Sequence, residues 1–331
     1  MAASKLVDPY NRHLNYLRVS ITDRCNLRCI YCVPPGGIAK LSHSEILRYE
    51  EILRVIGVGV GMGITKVRVT GGEPLVRQGV YDFLAELTRM AGLEDVSLTT
   101  NGVLLKANIE RLRQAGVRRL NVSLDTLNRE KYRRITGFDC FDAVWEGIQL
   151  ALEAGFAPIK INAVALIGVN DDELLDLARL SLAYPFHVRF IEFMPIGKSR
   201  LNTDQLLLTA EIRRRLSALG PLTPVGQGAF DGPARRFRFA GAPGEIGFIS
   251  ALSHHFCNHC NRLRLTASGQ LRPCLLADHH EDVKTALRRG CSDRELAEIF
   301  AAAVRRKPID HCLAADRRLP VNGQMLSLIH I

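Results

Sequence analysis

Three cysteines, Cys25, Cys29 and Cys32, stand in the run Thr22 to Cys32 with the spacing Cys-x3-Cys-x2-Cys. Three thiolates can hold three corners of a cubane iron–sulfur cluster. The fourth iron is then open to bind a small molecule and pass it an electron. Zinc and a disulfide compete with this reading. A structural zinc site needs four N or S ligands in tetrahedral array, yet no fourth cysteine follows nearby and His13 and His43 are poorly spaced. A disulfide needs an oxidising compartment, and Met1–Leu14 lacks the apolar core of a signal peptide. The spacing therefore predicts a 4Fe–4S cluster.

A second triplet, Cys257, Cys260 and Cys274, has the spacing Cys-x2-Cys-x13-Cys. Spacing alone leaves zinc open here, with His254, His255 or His259 as fourth ligand. The first triplet favours a second cluster, again with one vacant iron. Arg262 and Arg264 flank it and alternate, so on a strand they share a face. Two guanidinium forks on one face suit a phosphate or a carboxylate. Cys140, Cys291 and Cys312 have no companion spacing and read as ordinary thiols.

The elements that must position these groups alternate between strand and helix. Strands are predicted at Tyr16–Ile21, Lys66–Thr70, Asp95–Thr99, Arg119–Leu124, Ile159–Ala165 and His187–Phe193. Helices are predicted to start near Ser42 (with a Ser42/Glu45 capping box), Val80, Lys106, Asp139 and Asp171, with another over Thr209–Leu219. Gly220–Gly247 reads as loops with short strands. Six βα units predict a parallel sheet with right-handed crossovers, either open or a partial barrel. The cysteine loop, Gly71-Gly72-Glu73-Pro74, Thr99–Gly102, Ser123–Asp125, Lys160 and Asn162, and Arg189–Pro195 all fall at successive carboxyl ends of the strands. That rim is where α/β folds bind ligands.

The chain has 331 residues, is 47% apolar and carries a formal charge of +10, enough for a large α/β domain plus a smaller region. A basic balance favours polyanionic partners. With 6% aromatic residues and no long Lys/Arg block, the sequence weighs against a nucleic-acid stacking surface. No apolar run reaches the roughly 18–20 residues of a membrane span. Nine cysteines without an export signal predict a cytoplasmic protein that ligates metal.

The cysteine loop, the Gly-Gly-Glu-Pro turn and the six βα units together resemble the radical S-adenosylmethionine (SAM) superfamily. Over residues 17–325 the chain is similar to one family within it, the GTP 3′,8-cyclases of molybdenum cofactor (molybdopterin) biosynthesis. The resemblance is most specific at Arg68–Pro74, Thr99–Gly102, Asn121–Asp125 and Cys257–Cys274. It implies a partial (β/α)6 TIM-like barrel over residues 1–240 and a C-terminal cluster and substrate region over 241–325. Two 4Fe–4S clusters would then sit on Cys25, Cys29 and Cys32 and on Cys257, Cys260 and Cys274. Tyr31, Gly72, Ser123, Arg189 and Met194 would bind SAM, and Arg18, Arg68, Thr99, Lys160, Arg262 and Arg264 would bind GTP. The family mechanism passes an electron from the first cluster to the SAM sulfonium. The radical so formed takes the ribose 3′ hydrogen, and the ribose carbon then attacks C8 of guanine. The resemblance also implies an external electron donor, and a downstream cyclic pyranopterin monophosphate synthase that takes the product. It implies neither a membrane nor a nucleic-acid partner, and it leaves a homodimer open. A peptide-modifying radical SAM maturase and a zinc-dependent RNA-binding protein are the competing functions. The maturases use more C-terminal cysteines, and the RNA reading leaves the strand-end loops unexplained.

Family members close with Ile-Gly-Gly. Here Met325 is followed by Leu-Ser-Leu-Ile-His-Ile, a peptide that the transposon-end adapter of sequencing libraries encodes in frame. The expectation is that Leu326–Ile331 are a scar after Met325 and that this tail couples SAM cleavage poorly to cyclisation.

Overall fold

Six short runs alternate apolar and polar residues, and all six are strands: β1 (Tyr16–Ser20), β2 (Lys66–Thr70), β3 (Asp95–Thr100), β4 (Arg119–Ser123), β5 (Ile159–Ala165) and β6 (His187–Glu192). The computed structural model describes residues 6–311 except 35, 38, 195, 197–200, 202, 227, 229 and 230. Pro195, Cys312 and Leu326–Ile331 therefore lie outside the described residues. Leu17, Val19, Val67 and Val69 are fully buried on one face of the sheet, each worth about 1.5–3 kcal/mol when removed from water. The alternate residues, Tyr16, Arg18, Lys66 and Arg68, are also buried but lie on the opposite face. The sheet thus has an apolar side for helices and a polar side that faces inward.

The connecting helices are α1 (Tyr49–Gly61), α2 (Val80–Thr88), α3 (Leu105–Gln114), α4 (Arg129–Thr136), α5 (Phe141–Glu153), α6 (Leu174–Ala183) and α7 (Thr209–Leu216). The Ser42/Glu45 capping box exists, but it opens a single 3₁₀ turn, and the helix proper begins at Tyr49. The connection from β4 to β5 holds two helices where one was expected. Asn128 caps the additional one, its Oδ1 accepting from the Lys131 amide at 3.0 Å, and Gly137 ends it at φ 80°.

Residues beyond α7 form β7 (Leu222–Pro224), β8 (Arg235–Phe239), β9 (Glu245–Ile249), β10 (Arg262–Leu265), β11 (Gln270–Arg272) and β12 (Glu281–Asp282), then α8 (Val283–Arg288) and α9 (Asp293–Arg305). All twelve strands join one sheet in the order β12-β11-β10-β1-β2-β3-β4-β5-β6-β9-β8-β7. β10 pairs parallel with β1, and β9 pairs parallel with β6. Six βα units therefore become an eight-stranded parallel core with antiparallel flanks. The segment from Ser250 to Asn261, with Cys257 and Cys260, runs from one edge of the six-stranded unit to the other.

Candidate active site

The first cysteine loop is held by the turn after β2. The Gly72 amide donates to Thr22 O at 2.7 Å and the Glu73 amide to Arg24 O at 2.8 Å. The two backbones approach so closely that a Cβ on Gly72 would stand 2.2 Å from Arg24 O. Only glycine fits there. The Glu73 carboxylate is fully buried and accepts from the Leu75 and Asn101 amides and from Thr100 Oγ1, at 3.0, 2.7 and 2.8 Å. Burial pushes its pKa up to about 7. Asn101 in turn donates to Asn26 Oδ1 at 2.7 Å and approaches Cys25 Sγ at 3.6 Å. Burial raises all three thiols, Cys25 to about 11. Their thiolates are thus costly until a metal replaces the proton.

Tyr31 donates to Asp125 Oδ2 at 2.7 Å, and Asp125 Oδ1 accepts from the Val164 amide at 2.8 Å. Burial raises Asp125 to about 6. Cys25, Cys29, Tyr31, Gly72, Thr99 and Ser123 line one cavity. Tyr31, Cys32, Ser123, Asn162 and Met194 line its neighbour.

Among the described residues, seven basic side chains are buried on the inner face of the parallel sheet: Arg18, Lys66, Arg68, Lys160, Arg189, Arg262 and Arg264. Arg264, Arg18 and Arg68 lie side by side across β10, β1 and β2. Asp95 answers Lys66 at 3.4 Å and Arg119 at 2.9 Å. Burial, with neighbouring cations, pulls Arg189 and Arg264 down to about 9 and Lys160 to about 5. Arg264 Nη1, Thr99 Oγ1 and the Tyr16 hydroxyl are buried without a hydrogen-bond partner. Such groups are expensive to leave unsatisfied, and buried cations need compensation. A polyanion with several oxygens supplies both.

The second triplet lies beside Arg262 and Arg264. Met194, Cys257, Cys260, Arg262, Arg264 and Cys274 line a single cavity. Met194 lies on the walls of both this cavity and the one beside Cys32, and so joins the two ends. Burial pushes the Cys260 thiol up, but Arg262 and Lys307 beside it bring it down to about 6. A further cavity of about 740 Å³, lined by Tyr16, Asp231, Phe256, His259 and Arg262 among others, opens beside it.

The expected residues thus converge, with two differences in placement. Arg189, expected beside SAM, lines neither cavity of the first cysteine loop. Its Nη1 faces Asn121 Oδ1 at 3.5 Å, with Arg68 among the charges that act on it. Thr99, expected on GTP, lines the first-loop cavity. Sequence reasoning gave no role to Lys66, Asp125, Glu192 or Lys307. The two-residue phase of Lys66 with Arg68 was a usable signal. Lys307 follows a helix and had none.

Each triplet offers three thiolates, the donor set of a cubane with one iron left open, so the residues present fit two 4Fe–4S clusters. No helix among the described residues is long and apolar enough to cross a membrane.

Residues 19–181 match the model of the radical SAM superfamily, and residues 186–313 match the Molybdenum Cofactor Synthesis C model. The chain is 49% identical to the GTP 3′,8-cyclase of Moorella thermoacetica, across 95% of this chain and 97% of the relative. It is 50% identical to that of Heliobacterium modesticaldum, across 92% and 94%. Among solved structures, Streptococcus suis SuiB bound to S-adenosylmethionine shares the fold at TM-score 0.63 and 15% identity, across 90% of this chain and 69% of that one. A second, anSMEcpe with bound AdoMet, aligns at TM-score 0.58 and 16% identity, across 88% and 82%. The sequence, the two cysteine triplets and the near full-length identity agree: the chain belongs to the GTP 3′,8-cyclase family of radical SAM enzymes.

Proposed function

We propose that this chain converts GTP to (8S)-3′,8-cyclo-7,8-dihydroguanosine 5′-triphosphate, the first step of molybdenum cofactor biosynthesis, through the residues described above. The observation that carries the assignment is the band of buried cations between the two cysteine triplets. A nucleoside triphosphate fits it: Arg18, Arg68, Lys160 and Arg264 neutralise the phosphates, while Arg262 and the open side of the Cys257–Cys260–Cys274 site face the base. Thr99 supplies a hydroxyl at the boundary. We place SAM at the Cys25–Cys29–Cys32 end, against Tyr31, Gly72, Ser123 and Met194, with Arg189 between the two ligands.

When bound, the reduced first cluster and SAM supply a carbon radical able to remove a hydrogen atom. What this chain adds is restraint. Arg and Lys side chains fixed on strands hold the ribose at one distance and orientation, which lowers the barrier by removing its entropic part. Asp125 fixes the Tyr31 ring between the cysteines, and the segment from Ser250 to Asn261 crosses from one edge of the six-stranded unit to the other. We read residues 1–240 as the SAM-bearing barrel and 241–325 as the substrate and second-cluster region, woven into one sheet. The reaction draws on an external electron donor in the cytoplasm, and its product passes to cyclic pyranopterin monophosphate synthase.

Anaerobic incubation of the reconstituted protein with SAM, GTP and dithionite, followed by product identification, tests the reading. The expected products are 5′-deoxyadenosine and the cyclised nucleotide in equal amounts. SAM cleavage with GTP recovered unchanged would overturn it.

A further inference from the structure

Lys307 follows α9 and is 3% exposed. An ammonium has three donors, and each of the three meets an acceptor at the second cysteine site: Pro273 O at 2.6 Å, Arg262 O at 2.9 Å and Cys260 Sγ at 3.5 Å. Pro273 adjoins Cys274, so one side chain joins both cysteine-bearing segments. The chain that carries Lys307 is itself fixed there. Arg12, paired with Asp8 at 2.6 Å, donates to Cys257 O, Pro308 O and Ile309 O at 2.7, 2.6 and 2.9 Å. His311 bonds Ala251 O through its ring at 2.8 Å, and its backbone amide reaches Cys257. The N-terminal Asp8–Arg12 bracket thus clamps the C-terminal Lys307–His311 segment over the cysteines. Two carbonyls would suffice to anchor a neutral donor. A buried cation aimed at a thiolate adds charge, and outer-shell charge and hydrogen bonds to sulfur set cluster potentials.

We propose that Lys307 sets the reduction potential of the second cluster, its buried ammonium stabilising the more negative state reached when the cluster takes up one electron from the external donor. This rests on the Cys257–Cys260–Cys274 site holding a 4Fe–4S cluster. Lys307 is a positioning residue, acting through Cys260 and not on the substrate.

The test is an EPR-monitored redox titration of the anaerobically reconstituted holoenzyme, with the second cluster's signal assigned by its change on adding GTP. Lys307→Gln keeps two donors without the charge, and Lys307→Met removes both. Each should keep about eight irons, four per cluster. Each should lower the second cluster's potential by at least the equivalent of a tenfold change in its reduced-to-oxidised ratio, about 59 mV for one electron. The first cluster's potential should not move, and Lys307→Arg should restore most of the shift. About eight irons with an unmoved potential in Lys307→Gln would overturn this proposal alone. Loss of the second cluster's irons from both neutral variants would also overturn it, because the residue would then hold the cluster and not tune it. Wild-type protein with irons at the first triplet only would overturn the cluster reading, and this proposal with it.

Discussion

At Gly72 a single methyl group decides whether the first cysteine loop can close. Its Cβ position lies 2.2 Å from Arg24 O, and backbone cannot swing aside as a flexible side chain can. Overpacking of this kind costs typically about 1–3 kcal/mol, and here the strain falls on the loop proposed to hold the first cluster. Gly72→Ala should therefore reconstitute with about four irons in place of about eight, keeping the second cluster's EPR signal. Full iron content in that variant would refute the role of the close approach. Arg264 makes the complementary case at the other end. It is buried on β10 with Nη1 unsatisfied, waiting for an anion and not contributing to the loop. Losing one charge-assisted contact costs about 1.5–3 kcal/mol, so Arg264→Ala should weaken GTP binding at least tenfold while reductive SAM cleavage stays measurable. Unchanged GTP affinity by calorimetry would remove Arg264 from the substrate site.

Between elements, one carboxylate joins three of them. Glu192, at the end of β6 and fully buried, accepts from the Thr209, Leu252 and Ser253 amides at 2.9, 2.8 and 2.9 Å and from the Ser253 hydroxyl. It fixes the first turn of α7 and the start of the segment leading to Cys257. Glu192→Ala would strand three amides, at about 1–3 kcal/mol for each buried donor left unsatisfied. A fall in melting temperature of about 5 °C or more should follow, and Glu192→Gln, which keeps one accepting oxygen but sets an NH2 donor against an amide, should lose less. Equal melting temperatures would show that these bonds are dispensable. This scale also marks how far the sequence could be read. β1 to β6 were legible because alternation is local, and both triplets because spacing is local. The second helix between β4 and β5 was hidden: Arg129–Thr136 is mostly charged, and its buried side, Tyr132, Ile135 and Thr136, carries only two apolar residues. The pairings of β9 with β6 and β10 with β1 were not legible at all. Five residues such as Glu245–Ile249 do not encode a partner that lies dozens of positions away. The charge band was only half visible for the same reason. Arg262 and Arg264 were recognised as a pair, but register alone brings Arg264 beside Arg18 and Arg68.

For the molecule as a whole, the proposed placement of GTP against Lys160 makes substrate binding a protonation event. Burial, with Arg189 and Arg68 nearby, holds Lys160 at about 5, so near pH 7.5 it is neutral in the free protein. A triphosphate favours its charged form and raises that pKa, so GTP binding above pH 5 should take up a proton. Calorimetric heats in Tris and HEPES should differ accordingly, and Lys160→Met should remove most of the difference. Equal heats in the two buffers would refute the coupling. Finally, the sheet's strand order bears on how the chain is made. A ribosome delivers β1 among the first residues and its partner β10 only in the last quarter. Until then β1 offers one row of open backbone amides and carbonyls, and β6 offers another while it waits for β9. Such edges recruit other chains, and distant pairings close slowly. A fragment ending at residue 240 keeps both edges bare for good. It should collect in the insoluble fraction on expression, whereas the full chain, once its last strands emerge, seals both edges itself.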